Sequence, residues 1–308
     1  MKQDSIKYRR TKSSDLLEAF RLVTQTFNHL RRKAGLKSLK HKQSEPPPLM
    51  VHLLKTDPQG SFVATDAKGK LIGFTMSQMR EEEWYLAYLF VLPTYQSRGV
   101  GQKLLAKAMK YGTENQCKRR ALATLSYNPH AVAMYSKLGM SPQRTLVMMG
   151  RKVETLPPSR RLKPKVPLTL EVVTDERYIN RLSKLDRRAR GLARPEEHFF
   201  WLGDSDSTML VFHDARKIAG YCVINSRSAI GPVVSSKPEY LSSVLAMSIA
   251  YDVRTGHERQ AITVHGEQSD IVQQLLSAGF RVFEITLQMA TEPIADPKLY
   301  IPGNLTFY

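Results

Sequence analysis

Apolar positions along this chain switch between a period of two and a period of three to four, and the switches mark out elements. "SIKYRR" (5–10) reads as a short strand. Asp15 is placed to cap a helix whose apolar face is Leu16, Leu17, Phe20, Val23 and Phe27. Two β-rich runs flank Lys68-Gly69 within 61–79, a hairpin pattern, and "EWYLAYLFVLP" (83–93) is a third run, too apolar for an exposed strand. A helix opens at Val100, with Leu104, Leu105, Ala108 and Met109 on one face. "RRALATL" (119–125) is a strand, "PHAVAMYSKLGM" (129–140) a helix closed by Gly139, and "RTLVMMGRKV" (144–153) a last strand.

The order then repeats. "LTLEVV" (168–173) precedes a helical stretch with Ile179, Leu182 and Leu185, and a hairpin within 207–226 turns at Asp214 to Lys217. "AIGPVV" (229–234), a helix through Leu241 to Tyr251, the strand "AITVHG", the helix "IVQQLLSAGF" and the strand "RVFEITLQMA" complete it. Pro93 to Gly139 spans 46 positions and Pro232 to Gly279 spans 47, which points to duplication of one fold. Between the copies, "RKVETLPPSRRLKPKVP" reads as a stiff, charged linker. The expected division is 1–150, a linker 151–167, and 168–308, each half an α/β unit with a twisted, mostly antiparallel sheet flanked by helices.

At 308 residues the chain has room for two such domains. Two cysteines make no disulfide framework and no metal motif, and the eight histidines lack ligand spacing, so no metal is expected and a reducing, cytoplasmic setting fits. The longest apolar stretch, "LAYLFVL", is too short to span a membrane. Charge is uneven: residues 1–160 carry 28 Lys and Arg against 11 Asp and Glu, the remainder 18 against 17. That asymmetry points to an anionic ligand, acceptor or polymer, with a solubilising face as the plainer reading.

One stretch carries chemistry. In "VLPTYQSRGVGQKLLAKAM" (91–109) a strand ends at a proline, a two-glycine turn follows and a helix starts at once. Such a helix aims unpaired N–H groups at one point, where they and the helix dipole hold an anion. The Gly-Lys-Ser/Thr of a nucleoside-triphosphate loop is absent, and so is the third glycine of a dinucleotide turn. Residues 86–102, with Gln96, Gly99 and Gly101, resemble the acetyl-coenzyme A signature of the GNAT superfamily of N-acetyltransferases. A second motif of that family is matched by Asn128, Ala131, Tyr135 and Gly139-Met140, so that the resemblance covers about 5–150.

The resemblance implies a V-shaped gap between two splayed strands. The backbone of Leu89, Phe90 and Val91 would pair with the pantetheine arm of acetyl-CoA, and the turn Ser97, Arg98, Gly99, Val100, Gly101 and Gln102 would hold its pyrophosphate, with charge from Arg98 and Lys103. Asn128 would bond the arm, or simply cap its helix. Tyr135 would protonate the leaving thiolate, its plainer role being a core tyrosine beside Ala131, Met134 and Leu138. A Glu that some members carry five residues before Asn128 is Ala123 here. Glu83 is the candidate base, though three successive acids (81–83) also suit an exposed strand end. The acceptor is an amine, and Arg31, Arg32, Lys33, Lys37, Lys40 and Lys42 suggest an acidic one unless they are a solvated loop.

The second half has "VVSSKPEY" in place of the turn, with Gln268 and Leu275 at the Asn128 and Tyr135 positions, so it reads as the same fold without cofactor apparatus. Leu185, Asp186, Arg187, Gly191 and Arg194 resemble the C-terminal module of two-domain bacterial members, with Phe199, Phe200 and Trp201 as contact or core residues. Two other functions stay open: a non-catalytic acyl-CoA sensor, and a basic protein associated with nucleic acid or the ribosome.

Overall fold

The computed structural model describes residues 5–39, 44–153, 162–226 and 229–306. Lys40, Lys42 and residues 154–161 of the expected linker lie outside them. The chain falls into two compact units: Met1–Leu122 with Tyr127–His130, and Ala123–Ser126 with Ala131–Tyr308. Both are α/β, with helices against a mixed sheet.

The first unit holds β1 (Lys7–Arg10), α1 (Leu16–Lys33), α2 (Pro48–Thr56), β2 (Ser61–Thr65), β3 (Leu71–Arg80), β4 (Glu83–Val91), α3 (Val100–Glu114) and the start of β5 (Arg119–Leu125). Its strands run in the order β1-β2-β3-β4-β5, antiparallel except for the β4–β5 pair. The β2–β3 turn sits at Lys68-Gly69 as expected, and the Asp66 carboxylate accepts the N–H groups of Lys68 and Lys70 at 2.9 Å each. Asp15 does not cap α1. Its carboxylate accepts the Lys12 N–H at 2.7 Å and pairs with Arg9, binding the turn ahead of the helix instead. Helix α3 presses its buried Leu104, Leu105 and Ala108 against the sheet. The approach is close enough that a Cβ at Gly73 would come within 2.8 Å of Leu104, and one at Gly112 within 2.7 Å of Trp84. Glycine at these two places is what permits the packing. Trp84 is fully buried and donates its indole N–H to the Ala108 carbonyl at 3.0 Å.

The second unit contains α4 (Pro129–Ser136, from Ala131 on), β6 (Ser141–Lys152), β7 (Thr169–Val173), α5 (Ile179–Arg190), α6 (Pro195–Gly203), β8 (Ser207–Asp214), β9 (Lys217–Asn225), β10 (Ala229–Ser235), α7 (Pro238–Arg254), β11 (Arg259–His265), α8 (Ser269–Ser277), β12 (Arg281–Ala290) and β13 (Tyr300–Ile301). The strand order is β12-β6-β11-β10-β9-β8-β7, with β13 on β10. Strand β6 therefore lies between β12 and β11, paired antiparallel with both. Sequence order alone places β6 as a closing strand of the first half. Its partners come from more than a hundred residues downstream.

The core of this unit gathers Leu210, Phe212, Cys222, Ile230, Val233, Val244, Ile262, Val264, Leu275 and Phe280, between the sheet and helices α7 and α8. A buried polar cluster ties α5 and α6 to β9. The Asp186 carboxylate meets Arg194 at 3.0 Å, accepts the Tyr221 hydroxyl at 2.6 Å and contacts His198 Nε2 at 2.6 Å. Burial by itself would raise the Asp186 carboxyl. Arg194, then His198, outweigh that and hold it well below the usual carboxylate range. Gly191 ends α5 in the left-handed conformation, φ +80°. Trp201 is buried against this cluster, its ring 5.1 Å from the Arg194 guanidinium and 5.5 Å from the His198 ring, whereas Phe199 is half exposed.

Candidate active site

The chemistry-bearing stretch sits where β4 parts from β5. The parallel ladder runs from Glu83↔Arg119 to Leu86↔Leu122, and β4 then continues five residues further to Val91. On its other side β4 stays paired with β3 up to Gly73↔Val91. In such a ladder alternate backbone groups point to alternate neighbours. Those of Ala87 to Val91 that face away from β3 are therefore left to the side β5 has vacated. Burial keeps to the same line. Glu83 to Leu86 are buried, while Ala87 to Phe90 are only half-buried, although the sequence pattern reads the whole run as interior.

Beyond Val91 the chain turns through Pro93–Tyr95 and enters the two-glycine turn. Gln96 donates its side-chain amide to the Val91 carbonyl at 3.0 Å, and the buried Thr26 hydroxyl of α1 lies 3.5 Å from the same oxygen. The strand end is thereby fixed against both the turn and α1. Ser97 (φ +61°) and Gly99 (φ +76°) are both left-handed, and that double reversal brings α3 in directly behind the strand. Gly99 is the N-cap residue of α3, and no side chain caps the helix. Its first N–H groups are thus not taken by a capping side chain.

The residues present fit a diphosphate carrier. A Cβ at Gly99 would meet nothing within 4 Å, and one at Gly101 would meet only a Val91 methyl at 3.6 Å. Bare backbone therefore lines open space at the mouth of the helix. Arg98 is exposed, 5.1 Å above the Tyr95 ring, and Lys103 lies 5.7 Å from the Tyr8 ring. Gln102 is exposed in the first turn of α3. Acetyl-CoA would be held by this turn and strand edge, and its thioester supplies the activated acetyl group.

The remaining candidates fall elsewhere. Asn128 is half-buried just ahead of α4, in the first unit. Tyr135 is buried on α4, in the second. Burial pushes its phenol well above the ordinary tyrosine range, so it is neutral at physiological pH and a weaker acid than an exposed phenol. Glu83 is buried at the far end of β4 and ion-paired with Arg119 at 2.8 Å. Eight steps along the strand, roughly 26 Å of extended chain, separate it from Val91. Of the basic loop, Arg31 is buried and donates to the Lys37 carbonyl at 2.8 Å, closing the C-terminus of α1, while Arg32, Lys33 and Lys37 are exposed. Sequence reasoning does not reach Thr26. The structure buries Leu16, Ala19, Leu22 and Thr26 on α1, a face turned away from the expected Leu17, Phe20 and Phe27, so the apolar spacing does not mark Thr26.

No group of three or more His, Cys, Asp or Glu able to hold a metal occurs among the described residues. None of their helices is long and apolar enough to cross a membrane. Cys222 is buried, and burial pushes its thiol up to about 12.

Residues 23–140 match the family model described as the acetyltransferase (GNAT) family. The N-alpha-acetyltransferase MAK3 of Arabidopsis thaliana is 30% identical over 132 residues, which cover 39% of this chain and 67% of that protein. A GCN5-related N-acetyltransferase from Sphaerobacter thermophilus superposes with a TM-score of 0.66 at 15% identity, over 96% of this chain and 98% of that one. A tandem GNAT protein from the clavulanic acid biosynthesis pathway does so with a TM-score of 0.60 at 14% identity, over 94% and 99%. At such identities the likeness is one of fold. With the matched family model, the MAK3 relative and a strand-turn-helix suited to a diphosphate, the chain belongs to the GNAT family of acetyltransferases and moves an acetyl group from acetyl-CoA to an amine acceptor.

Proposed function

We propose that the chain is a tandem duplication, residues 1–150 and 168–308 joined by 151–167, in which the first copy carries the transferase site and the second has lost its carrier apparatus. The observation behind this is a repeated ladder. β4 leaves β5 after Leu86↔Leu122 with five residues still to run, and β10 leaves β11 after Ile230↔Ile262 with five still to run. The two differ in the connection from strand to helix. Eight residues, ending at the left-handed Gly99, lie between Val91 and the start of α3, and only two lie between Ser235 and the start of α7.

In the first copy, the backbone of Leu89, Phe90 and Val91 receives the pantetheine arm, and an N–H near Val91 polarises the thioester carbonyl. Ser97 to Gln102 hold the diphosphate, Arg98 and Lys103 add charge, and Gln96 fixes the strand end. Asn128 bonds the arm. Tyr135 gives its proton to the departing thiolate sulfur as the amine nitrogen attacks the carbonyl carbon and the C–S bond breaks, and the proton that the nitrogen sheds restores the phenol, so no acyl-enzyme forms. Glu83 is spent on Arg119 and is left out of this scheme. The exposed Arg32, Lys33 and Lys37 favour an acceptor that carries a carboxylate or phosphate beside its amine. Thiol release from acetyl-CoA, measured across neutral and acidic amines, tests the reading. Turnover with acidic amines supports it, while tight CoA binding without thiol release would favour a sensor.

A further inference from the structure

The slot that β10 leaves when it parts from β11 is filled. Strand β13 lies in it, antiparallel to β10, in the register Val233↔Ile301 and Val234↔Tyr300. The Ser235 N–H donates to the Leu299 carbonyl at 2.9 Å, extending the pairing by one residue. In the first copy, the matching length of strand is the one assigned to the pantetheine arm. We propose that this second slot is a peptide-binding site whose resident ligand is the chain's own segment 297–303, held where a thioester carrier would otherwise lie. This rests on the tandem reading above.

Three further features separate a fitted ligand from a strand that merely passes by. The first is Gln268, at the position of Asn128. Its amide nitrogen donates to the Tyr300 carbonyl at 3.0 Å and to the Pro297 carbonyl at 2.6 Å. It reads backbone, as an asparagine there would read the amides of a pantetheine arm. The second is the pocket for Tyr300. Its side chain is fully buried, its hydroxyl accepts from Arg194 at 3.3 Å, and its ring lies 6.2 Å from the His265 ring. The Asp186 cluster thus fixes the arginine that grips the tail. The third is the exit. A Cβ on Gly231 would fall 2.8 Å from the Gly303 Cα, and one on Gly303 would collide with the Gly231 carbonyl. Two glycines let two backbones cross there. Leu299, Tyr300, Ile301, Pro302 and Gly303 are all buried. The diphosphate turn is gone from this copy, so the slot keeps its strand-pairing edge and has become a receptor for main chain.

A protease site placed in the exposed bend at 291–293 allows the folded full-length chain to be cut, so that residues 294–308 are held only by contacts. The fragment should stay bound through gel filtration, and a fluorescent synthetic peptide of residues 294–308 should exchange into the nicked protein one for one. Pantetheine and coenzyme A should not displace it. Gln268→Ala removes two hydrogen bonds and should weaken retention by about tenfold. A peptide carrying Gly303→Val should not exchange at all, a readout independent of how any protein variant folds. Calorimetry on the intact chain should count one coenzyme A. Loss of the wild-type fragment on nicking, its displacement by pantetheine, or two coenzyme A molecules per intact chain would each overturn the proposal. A count of zero would instead remove the site assigned to the first copy, and peptide exchange would still decide this one.

Discussion

Two slots in this molecule have the same backbone plan and opposite contents. Each opens where a parallel ladder stops with five residues of one strand still to run. Beside β4 the half-buried Ala87 to Phe90 border the opening, a left-handed glycine turn comes next, and α3 begins with its N–H groups uncapped by any side chain. Beside β10 the strand is buried from Pro232 to Ser235, there is no glycine turn, and Tyr300 and Ile301 fill the space. The lesson is that a parted strand pair supplies only hydrogen-bonding edge. On the reading proposed above, the loop after the strand selects what the edge receives.

The contrast can be broken most severely at Tyr135. Replacement by Phe should lower turnover by about 100-fold or more, within the range of general acid catalysis, with coenzyme A affinity unchanged by calorimetry. Unaltered turnover would remove the acid role. Gly101→Ala acts on the turn itself. It should raise helix stability by about 0.5–1 kcal/mol, because the new Cβ meets only an ordinary contact with Val91. It should leave coenzyme A binding within about twofold by calorimetry, because an anion held by backbone N–H groups loses no partner when a methyl group is added. A large loss of affinity would count against a diphosphate held by backbone alone.

Acid sharpens the contrast from the other side. Burial, then the Arg144 charge, push the His265 imidazole down to about 3. Its folded value is lower than its unfolded one, about 6.5. The stability tied to its neutral form is therefore whole above pH 6.5 and drains away as pH falls toward 3. Hydrogen exchange at Val233 to Ser235 and at Tyr300, corrected for the intrinsic rate, should rise several-fold across that window, and His265→Gln should flatten the rise. The smallest effect is expected from grafting residues 94–101 between Ser236 and Lys237. With the slot still filled by its own chain, calorimetry should show no additional coenzyme A bound.

Much of this is legible in the sequence because it is local. Both hairpins, the start of α3 after Gly99 and the helix between Asn128 and Gly139 come from turn residues and apolar spacing within a few positions. Strand pairing across the chain has no such local mark. Nothing within residues 141–152 says that they will lie between two strands from far downstream. Spacing matches Pro232 to Pro93, yet Pro232 sits inside β10, and Pro238 takes the helix-opening place. Helices α2 and α6 are short, each opened by a proline, and the apolar pattern does not reveal them. β13 escapes because a strand of two residues has no period to detect. At the site, Gly99 and Gly101 are plain from the turn they make. Thr26 and the ion pair that occupies Glu83 depend on distant packing.

The position of β6 has a consequence for synthesis. Its residues leave the ribosome more than a hundred residues before β12. At about 5–20 residues per second, the edge that β12 will cover waits on the order of 6 to 26 s, and the edge that β11 will cover slightly less. During that wait Leu146, Val147, Met148 and Met149, which the finished fold holds in a strand, are without their partners, and such a segment is one that chaperones bind and that pairs wrongly with neighbouring chains. Production of this protein should therefore depend on translation speed and chaperone supply more than its finished stability would indicate.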